Sequence, residues 1–342
     1  MICLQFTVYC KHMAIKITEK IIEYIKKNEV STVAEMTDYF SLSRQIIHRH
    51  LKKLVENELI VKIGKPPKVF YSASKKKVPR GDGGDAKDFI YDNNARKIIK
   101  DNFMLIEPSG RRLLGVTAFV AWCNKRKYDT EEKAKEYKKI FEKYENIKKR
   151  GFIDGIAKIK NSFKEQCIDK VFYIDFYAWE IFGKTKMGQS LLYAKQSQNK
   201  KIINELIESI KTKVNKLINL EKIDAVGFIP PTIKREVQFM KILEKKLNLT
   251  LPSISIIKIK TDIIVPQKTL SKLEDRIENA DSTIIVDEER KFKKILLIDD
   301  AVGSGATLNQ VACKIKKRGI AGSVVGLAIT GSLKGFDVIS EI

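Results

Sequence analysis

Phe292-Lys-Lys-Ile-Leu-Leu-Ile-Asp-Asp-Ala-Val-Gly-Ser-Gly-Ala-Thr-Leu308 is the stretch on which the fold of this 342-residue chain turns. Its apolar run at 295–298 is too short for a helix and is flanked by lysines, as in a strand buried on both faces of a parallel sheet. Asp299 and Asp300 follow at the carboxyl end, where open α/β sheets place their ligands. Ala301, Val302, Gly303, Ser304, Gly305, Ala306 and Thr307 form a small-residue loop, and a helix is expected over 308–317. Glycines at 303 and 305 let main-chain N–H groups approach an anion, Ser304 and Thr307 add hydroxyls, and the helix end adds a favourable dipole. The combination is an anion pocket beside two carboxylates, suited to a sugar phosphate with a vicinal diol. A Walker loop needs Lys before Thr307, but Ala306 is there. A dinucleotide fingerprint needs Gly three residues after Gly305, but Leu308 is there. Neither motif fits.

Upstream, Asp224-Ala-Val-Gly-Phe-Ile-Pro-Pro-Thr-Ile-Lys-Arg235 reads as a strand and a short loop, with a helix over 236–246 and a strand over 253–259 to follow. Lys234 and Arg235 make natural counter-charges for a pyrophosphate. The acidic strand and its loop resemble the phosphoribosyl pyrophosphate (PRPP) motif of type I phosphoribosyltransferases. Gln267-Lys-Thr-Leu-Ser-Lys-Leu-Glu-Asp-Arg-Ile-Glu-Asn279 resembles the flexible segment of the ComF-type members, and Leu191-Leu-Tyr-Ala-Lys195 their entry region. The resemblance spans residues 170–335. It implies that Asp299 and Asp300 hold the ribose hydroxyls and that Ala301 to Thr307 hold the 5′-phosphate. Pro231, Thr232, Lys234 and Arg235 would face the pyrophosphate with Mg²⁺ between. Lys268 and Arg276 lie on a segment expected to be mobile; they would close over the anion and exclude water, or else be surface charge. Two departures weigh against catalysis and not against binding. Gly303 stands where purine-salvage relatives carry an Asp that assists the incoming base, and Pro230 and Pro231 stiffen the first loop and remove donors.

The N-terminal segment has a different character. Ile17, Ile21, Ile22 and Ile25 have helical spacing; Ser31 is a candidate cap for a short second helix ending near Phe40; Ser43 opens a third. On that third helix Ile47, Leu51 and Leu54 form the buried face, while Arg44, Gln45, His48, Arg49 and Lys52 lie opposite as long donors able to reach base edges and phosphates. Leu59 to Tyr71 reads as two strands around a 64–67 turn carrying Lys62, Lys65 and Lys68. Three helices and a basic β-wing resemble a winged helix-turn-helix domain. That implies DNA contact through Ser43, Arg44, Gln45, His48, Arg49, Lys52, Lys65 and Lys68; a protein-binding winged helix is the alternative.

Length alone suggests about two or three domains. The expected fold class is α/β: a winged helix over 13–73, a polar linker over 74–90, a mostly helical connecting region over 91–169 with Phe119, Trp122 and Tyr137 in its core, and a type I phosphoribosyltransferase-like parallel sheet with flanking helices over 170–342. Lys+Arg 65 against Asp+Glu 42 gives a net charge of +23, and residues 1–80 already carry sixteen basic against seven acidic side chains. Such an excess favours polyanions through phosphate neutralisation and counterion release. With 44% apolar residues the chain can bury a core, and it contains no uncharged apolar run of ~18 residues that would span a membrane. The opening residues make a poor signal peptide, and Met13 could equally be the start. Five scattered cysteines without a C-x-x-C pair point to reduced thiols in a cytoplasm and away from a structural zinc site.

A winged helix fused to this fold also resembles purine-operon repressors that use PRPP as an effector, and winged-helix phosphoribosyltransferase proteins encoded beside retron reverse transcriptases. The leading expectation is a DNA-binding regulator or effector, a homodimer, whose ligand is PRPP with Mg²⁺ or a related nucleotide. A working transferase and a scaffold with a vestigial pocket stand as alternatives.

Overall fold

In a computed structural model the chain divides into two compact units, residues 1–84 and 85–342. The structure describes residues 17–57, 59–73, 90–160, 162–231, 233, 235–259, 263 and 265–332, so all but the last residue of the expected linker lie outside it.

The first unit runs α1 (17–27), β1 (Val30–Ser31), α2 (Val33–Phe40), α3 (Arg44–Glu56), β2 (Ile60–Lys65) and β3 (Lys68–Ala73). Its strands pair antiparallel in the order β1-β3-β2. Ile21, Ile25, Met36, Ile47, Leu51, Leu54, Ile60 and Tyr71 form its core, so the expected apolar faces are the buried ones. The cap of α2 is Thr32, one residue later than expected: its hydroxyl accepts from Glu35 N–H while the Glu35 carboxylate accepts from Thr32 N–H, a complete capping box. Ser31 is instead buried in β1. The wing turn is also shorter than expected. Gly64 and Lys65 stay in β2, opposite Val69 and Lys68, which leaves Pro66 and Pro67 as the turn.

The second unit holds two small antiparallel pairs, β4 (Met104–Ile106) with β5 (Arg112–Leu114) and β8 (Ala178–Trp179) with β9 (Gly183–Lys184), and a seven-stranded sheet of order β12-β11-β10-β13-β14-β7-β6. Its strands are β6 (Ile153–Asp154), β7 (Lys170–Phe176), β10 (Ala225–Phe228), β11 (Ser253–Lys258), β12 (Ile284–Asp287), β13 (Phe292–Val302) and β14 (Ala321–Gly331); β6 and β12 are antiparallel at the edges and the other five are parallel. β13 alternates its side chains between two cores. Ile295 and Leu297 join the helices α4 (Asn93–Asn102), α5 (Gly115–Arg126), α6 (Thr130–Ile147) and α12 (Ala306–Lys317) on one face. Leu296 and Ile298 join α8 (Lys186–Gln196), α9 (Lys200–Glu221) and α10 (Phe239–Leu247) on the other. Burial on both faces is why 295–298 reads as an unbroken apolar run. Phe119, Trp122 and Tyr137 are core residues, as expected, and with Phe103, Trp179 and Phe182 they make a ladder of aromatic contacts. The helical region shares this core with the sheet and is not a separate body.

The connections decide where a ligand can enter. β10 lies beside β13, Ala225 opposite Ile295 and Phe228 opposite Ile298. From β10 the chain moves outward through α10 to β11; from β13 it moves the opposite way through α12 to β14. Two adjacent parallel strands whose connections diverge leave a crevice at their carboxyl ends.

The cysteine expectation is corrected. Cys167 and Cys313 are joined in a disulfide, and Cys123 is a buried free thiol whose pKa burial pushes up to about 11. Among the described residues the one three-ligand cluster with metal-binding spacing is Glu165 with these two bonded sulfurs. The disulfide ties the lead-in to β7 to α12, next to Asn309, whose buried amide oxygen accepts from Cys167 and Ile168 N–H at 2.9 and 3.3 Å. Loss of a native disulfide typically costs ~2–5 kcal/mol, and so long a loop places this one toward the upper end. Urea unfolding of Cys313→Ser without reductant is therefore expected to show a loss of that order, matched by wild type in dithiothreitol; equal midpoints in all three samples would remove the bond from the account.

Candidate functional site

The acidic pair ends the buried part of β13 at the crevice, both residues half-buried. Asp300 N–H donates to Asp299 Oδ1 at 2.7 Å, and Asp300 Oδ2 lies 2.6 Å from Lys195 Nζ in the last turn of α8. Burial, then the charge of Asp300, pushes the Asp299 carboxyl well above the usual carboxylate range; the Asp300 N–H and Lys195 oppose that rise only in part.

The loop after the pair is tighter than the sequence suggests. Ala301 and Val302 remain in β13, opposite Thr330 and Gly331, and α12 begins at Ala306, two residues before the expected start. The turn proper is Gly303, Ser304 and Gly305. Ser304 is buried and its hydroxyl accepts from Ala306 N–H at 3.3 Å. Gly305 is the helix cap with φ +80°, and no side chain caps the helix from that position. The next N–H groups, those of Thr307 and Leu308, have no acceptor within the helix, the usual condition of a first turn. Gly305 is required twice over: its φ is left-handed, and an added Cβ would lie 2.7 Å from Ile159 Cδ1 on α7 (Ile156–Lys160).

The opposite wall is the segment after β10. The Arg235 guanidinium donates to the Lys195 main-chain carbonyl, Val237 N–H donates to Gln198 Oε1 at 2.6 Å, and the Gln238 amide donates to Arg235 O at 3.1 Å. The first two bonds stitch the segment to the end of α8 and the third closes the segment on itself, so Arg235 lies against the main chain of Lys195, the residue that holds Asp300. Pro231 is half-buried in the same wall; Thr232 and Lys234 lie outside the described residues.

The expected flexible segment has another form. Arg276 is not on a loop: it lies in α11 (Leu273–Thr283), 7% exposed, with Nε donating to Leu270 O at 2.7 Å. Gln267 Nε2 donates to Arg276 O at 2.9 Å and to Asn279 Oδ1 at 3.2 Å. Gln267, Leu270, Arg276 and Asn279 of the stretch expected to be mobile bond to one another and fasten it to α11. Lys268 is in the short 3₁₀ turn Gln267–Thr269, and its side chain lies outside the described residues.

On the first unit, Arg44, Gln45, His48, Arg49 and Lys52 are all exposed on one face of α3, with Lys68 exposed on the wing. Ser43 is the cap of α3, its hydroxyl accepting from Ile46 N–H. Lys65 ends β2, and its side chain lies outside the described residues. His50 turns away from the basic face, its Nδ1 2.8 Å from Thr18 Oγ1, and burial followed by Lys53 and Arg49 lowers its pKa.

No local signal in the sequence marks Lys195, which ends the Leu191–Lys195 stretch; only the fold brings it to Asp300. The Mg²⁺ expected with PRPP meets a donor set that does not fit it: Asp300 already holds an ammonium at 2.6 Å, and an oxygen of Asp299 already accepts from the Asp300 N–H at 2.7 Å. The sequence matches no protein-family model and no curated protein.

Two outcomes follow. Gly305→Ala is expected to cost ~2–4 kcal/mol in denaturant melts, from backbone strain plus overpacking against Ile159. In the Ile159→Ala background only the strain part should remain, and an additive double mutant would refute the contact. For Asp299, whose native pKa exceeds its ordinary value of 3.8, the folded state holds a proton that the unfolded state has released, so stability falls as pH rises from about 4 through the raised native pKa. Asp299→Asn should flatten that decline and raise stability at pH 8; an unchanged slope would show that Asp299 titrates normally.

Proposed function

We propose that this chain is a nucleic-acid-binding regulator or effector whose second unit binds PRPP or a related nucleotide, with occupancy coupled to DNA affinity. The observation that carries the ligand half is the position of Asp299 and Asp300: they end β13 at the switch point with β10, three residues ahead of the Gly303–Gly305 turn and a helix whose N-terminus points to the same edge. A vicinal diol suits the paired carboxylates, and a phosphate monoester suits the uncapped N–H groups and the helix dipole. This supports the type I phosphoribosyltransferase-like reading of residues 170–342.

The element order of the first unit, α1-β1-α2-α3-β2-β3, with its basic exposed face on α3, supports the winged helix-turn-helix reading. The donors at positions 44, 45, 48, 49 and 52 recur along one side of α3, as a helix laid in a groove requires. Two copies reading two half-sites would make the chain a homodimer.

Fluorescence anisotropy with labelled duplex DNA tests both halves together. Arg49→Ala should weaken binding by ~1–3 kcal/mol. PRPP should change the affinity of wild type, and Asp299→Ala should lose that response while binding DNA as before. The proposal fails if calorimetry shows no binding of PRPP or ribose 5-phosphate and DNA affinity ignores both. Release of pyrophosphate from PRPP in the presence of a base would make the pocket that of a transferase.

A further inference from the structure

Lys195 is held by its main chain from two sides. Leu191 and Ala194, on the same helix, are buried in the core under the sheet. Beyond the helix end, Arg235 donates to the Lys195 carbonyl and Gln198 accepts from Val237 N–H. The side chain itself is 28% exposed and that of Asp300 16%, so the ion pair borders the crevice and is within reach of a ligand.

A Mg²⁺ ion that joins a carboxylate to a sugar phosphate takes its oxygens at ~2.0–2.1 Å and is exacting about geometry. Asp300 Oδ2 already receives an ammonium at 2.6 Å, and a divalent ion on the same oxygen would be set against that charge at close range. Asp299 Oδ1 is engaged by the Asp300 N–H. The crevice therefore carries its own cation. An ammonium has three N–H donors; one is spent on Asp300, and two remain for ligand oxygens. Arg235, whose guanidinium donates to the Lys195 carbonyl, adds a second cation to the same wall, so a phosphate dianion meets positive charge supplied by the protein.

We infer that Lys195 takes the place of a divalent cation in this pocket, which binds a pentose 5-phosphate with its diol on the Asp299–Asp300 pair and its charge balanced by Lys195 and Arg235, without Mg²⁺. The inference rests on the pocket reading proposed above and specifies what balances the ligand's charge.

The test is isothermal titration of the full chain with PRPP, and with ribose 5-phosphate as the ligand that carries no pyrophosphate for a metal to bridge, in EDTA and again in millimolar Mg²⁺, for wild type, Lys195→Met and Lys195→Arg. Wild type should bind equally in the two buffers to within about threefold. Lys195→Met should bind ~10-fold or more weakly in EDTA, the loss expected for one charge-assisted hydrogen bond, and recover in part with Mg²⁺. Lys195→Arg, which keeps the charge, should stay near wild type in EDTA. Wild-type binding that appears only with Mg²⁺ would overturn the inference while leaving the pocket intact, and so would an unaffected Lys195→Met. Absence of binding in both buffers, with PRPP as well, would sink the pocket reading and the inference with it. The wild-type comparison does not depend on any variant folding.

Discussion

β13 is buried on both faces up to Ile298, and the next residue needs water or a partner. The strand is flanked by parallel neighbours and covered by apolar side chains on both faces, so solvent does not reach its middle and its polar side chains gather at its carboxyl end. At that end the connection from β10 turns one way and that from β13 the other, so no helix crosses the gap. Two carboxylates emerging there are partly desolvated and adjacent, a combination that penalises charge. One responds by a raised pKa, the other by an ammonium at 2.6 Å. The ion pair is thus a consequence of the topology as much as a feature of the site.

The walls of the crevice are fixed by quite different means. On the α8 side the fastening is polar: Arg235 donates to the Lys195 carbonyl and Gln198 accepts from Val237 N–H, so the loop after β10 is tied to the end of α8. On the α12 side it is apolar and covalent. Leu308, Val311, Ala312 and Ile315 are buried against the sheet, Asn309 ties α12 to the strand lead-in, and the disulfide fastens its middle. Ile159 closes over Gly305 from a third direction. A turn of three residues held this firmly presents its N–H groups in one arrangement, and preorganisation of that kind lowers the cost of binding a small anion.

What could be read in the sequence followed from local pattern. The apolar run ending in Asp299 and Asp300 and the helix spacing of Ile47, Leu51 and Leu54 are short-range signals, and each burial they imply is found. The misreadings share a cause: the deciding partner is remote. Ala301 and Val302 are as compatible with a loop as with a strand, and only the strand beside them, at Thr330 and Gly331, keeps them extended. Gln267 and Arg276 carry donors that suit a ligand or a main-chain carbonyl equally well, and spacing does not say which. Cys167 and Cys313 lie 146 residues apart with no motif around them. Lys195 was one basic residue among 65 until Asp300 was beside it.

The resident cation bears on what such a protein could sense. Where a divalent ion bridges ligand and protein, occupancy depends on two concentrations, and a change in either moves the equilibrium. A pocket whose counter-charge is covalently part of α8 responds to the sugar phosphate alone. If occupancy changes DNA affinity by some factor, DNA must change affinity for the sugar phosphate by the same factor, because the coupling free energy is shared. The basic face of α3 and the crevice of the sheet would then read two kinds of phosphate with separate sets of cations, Arg44, Arg49 and Lys52 for one and Lys195 and Arg235 for the other. Salt would screen the first set, exposed on its helix, more than the second, which is partly buried and hydrogen-bonded. On the proposed function, raising ionic strength should therefore loosen nucleic acid while the sugar phosphate stays bound.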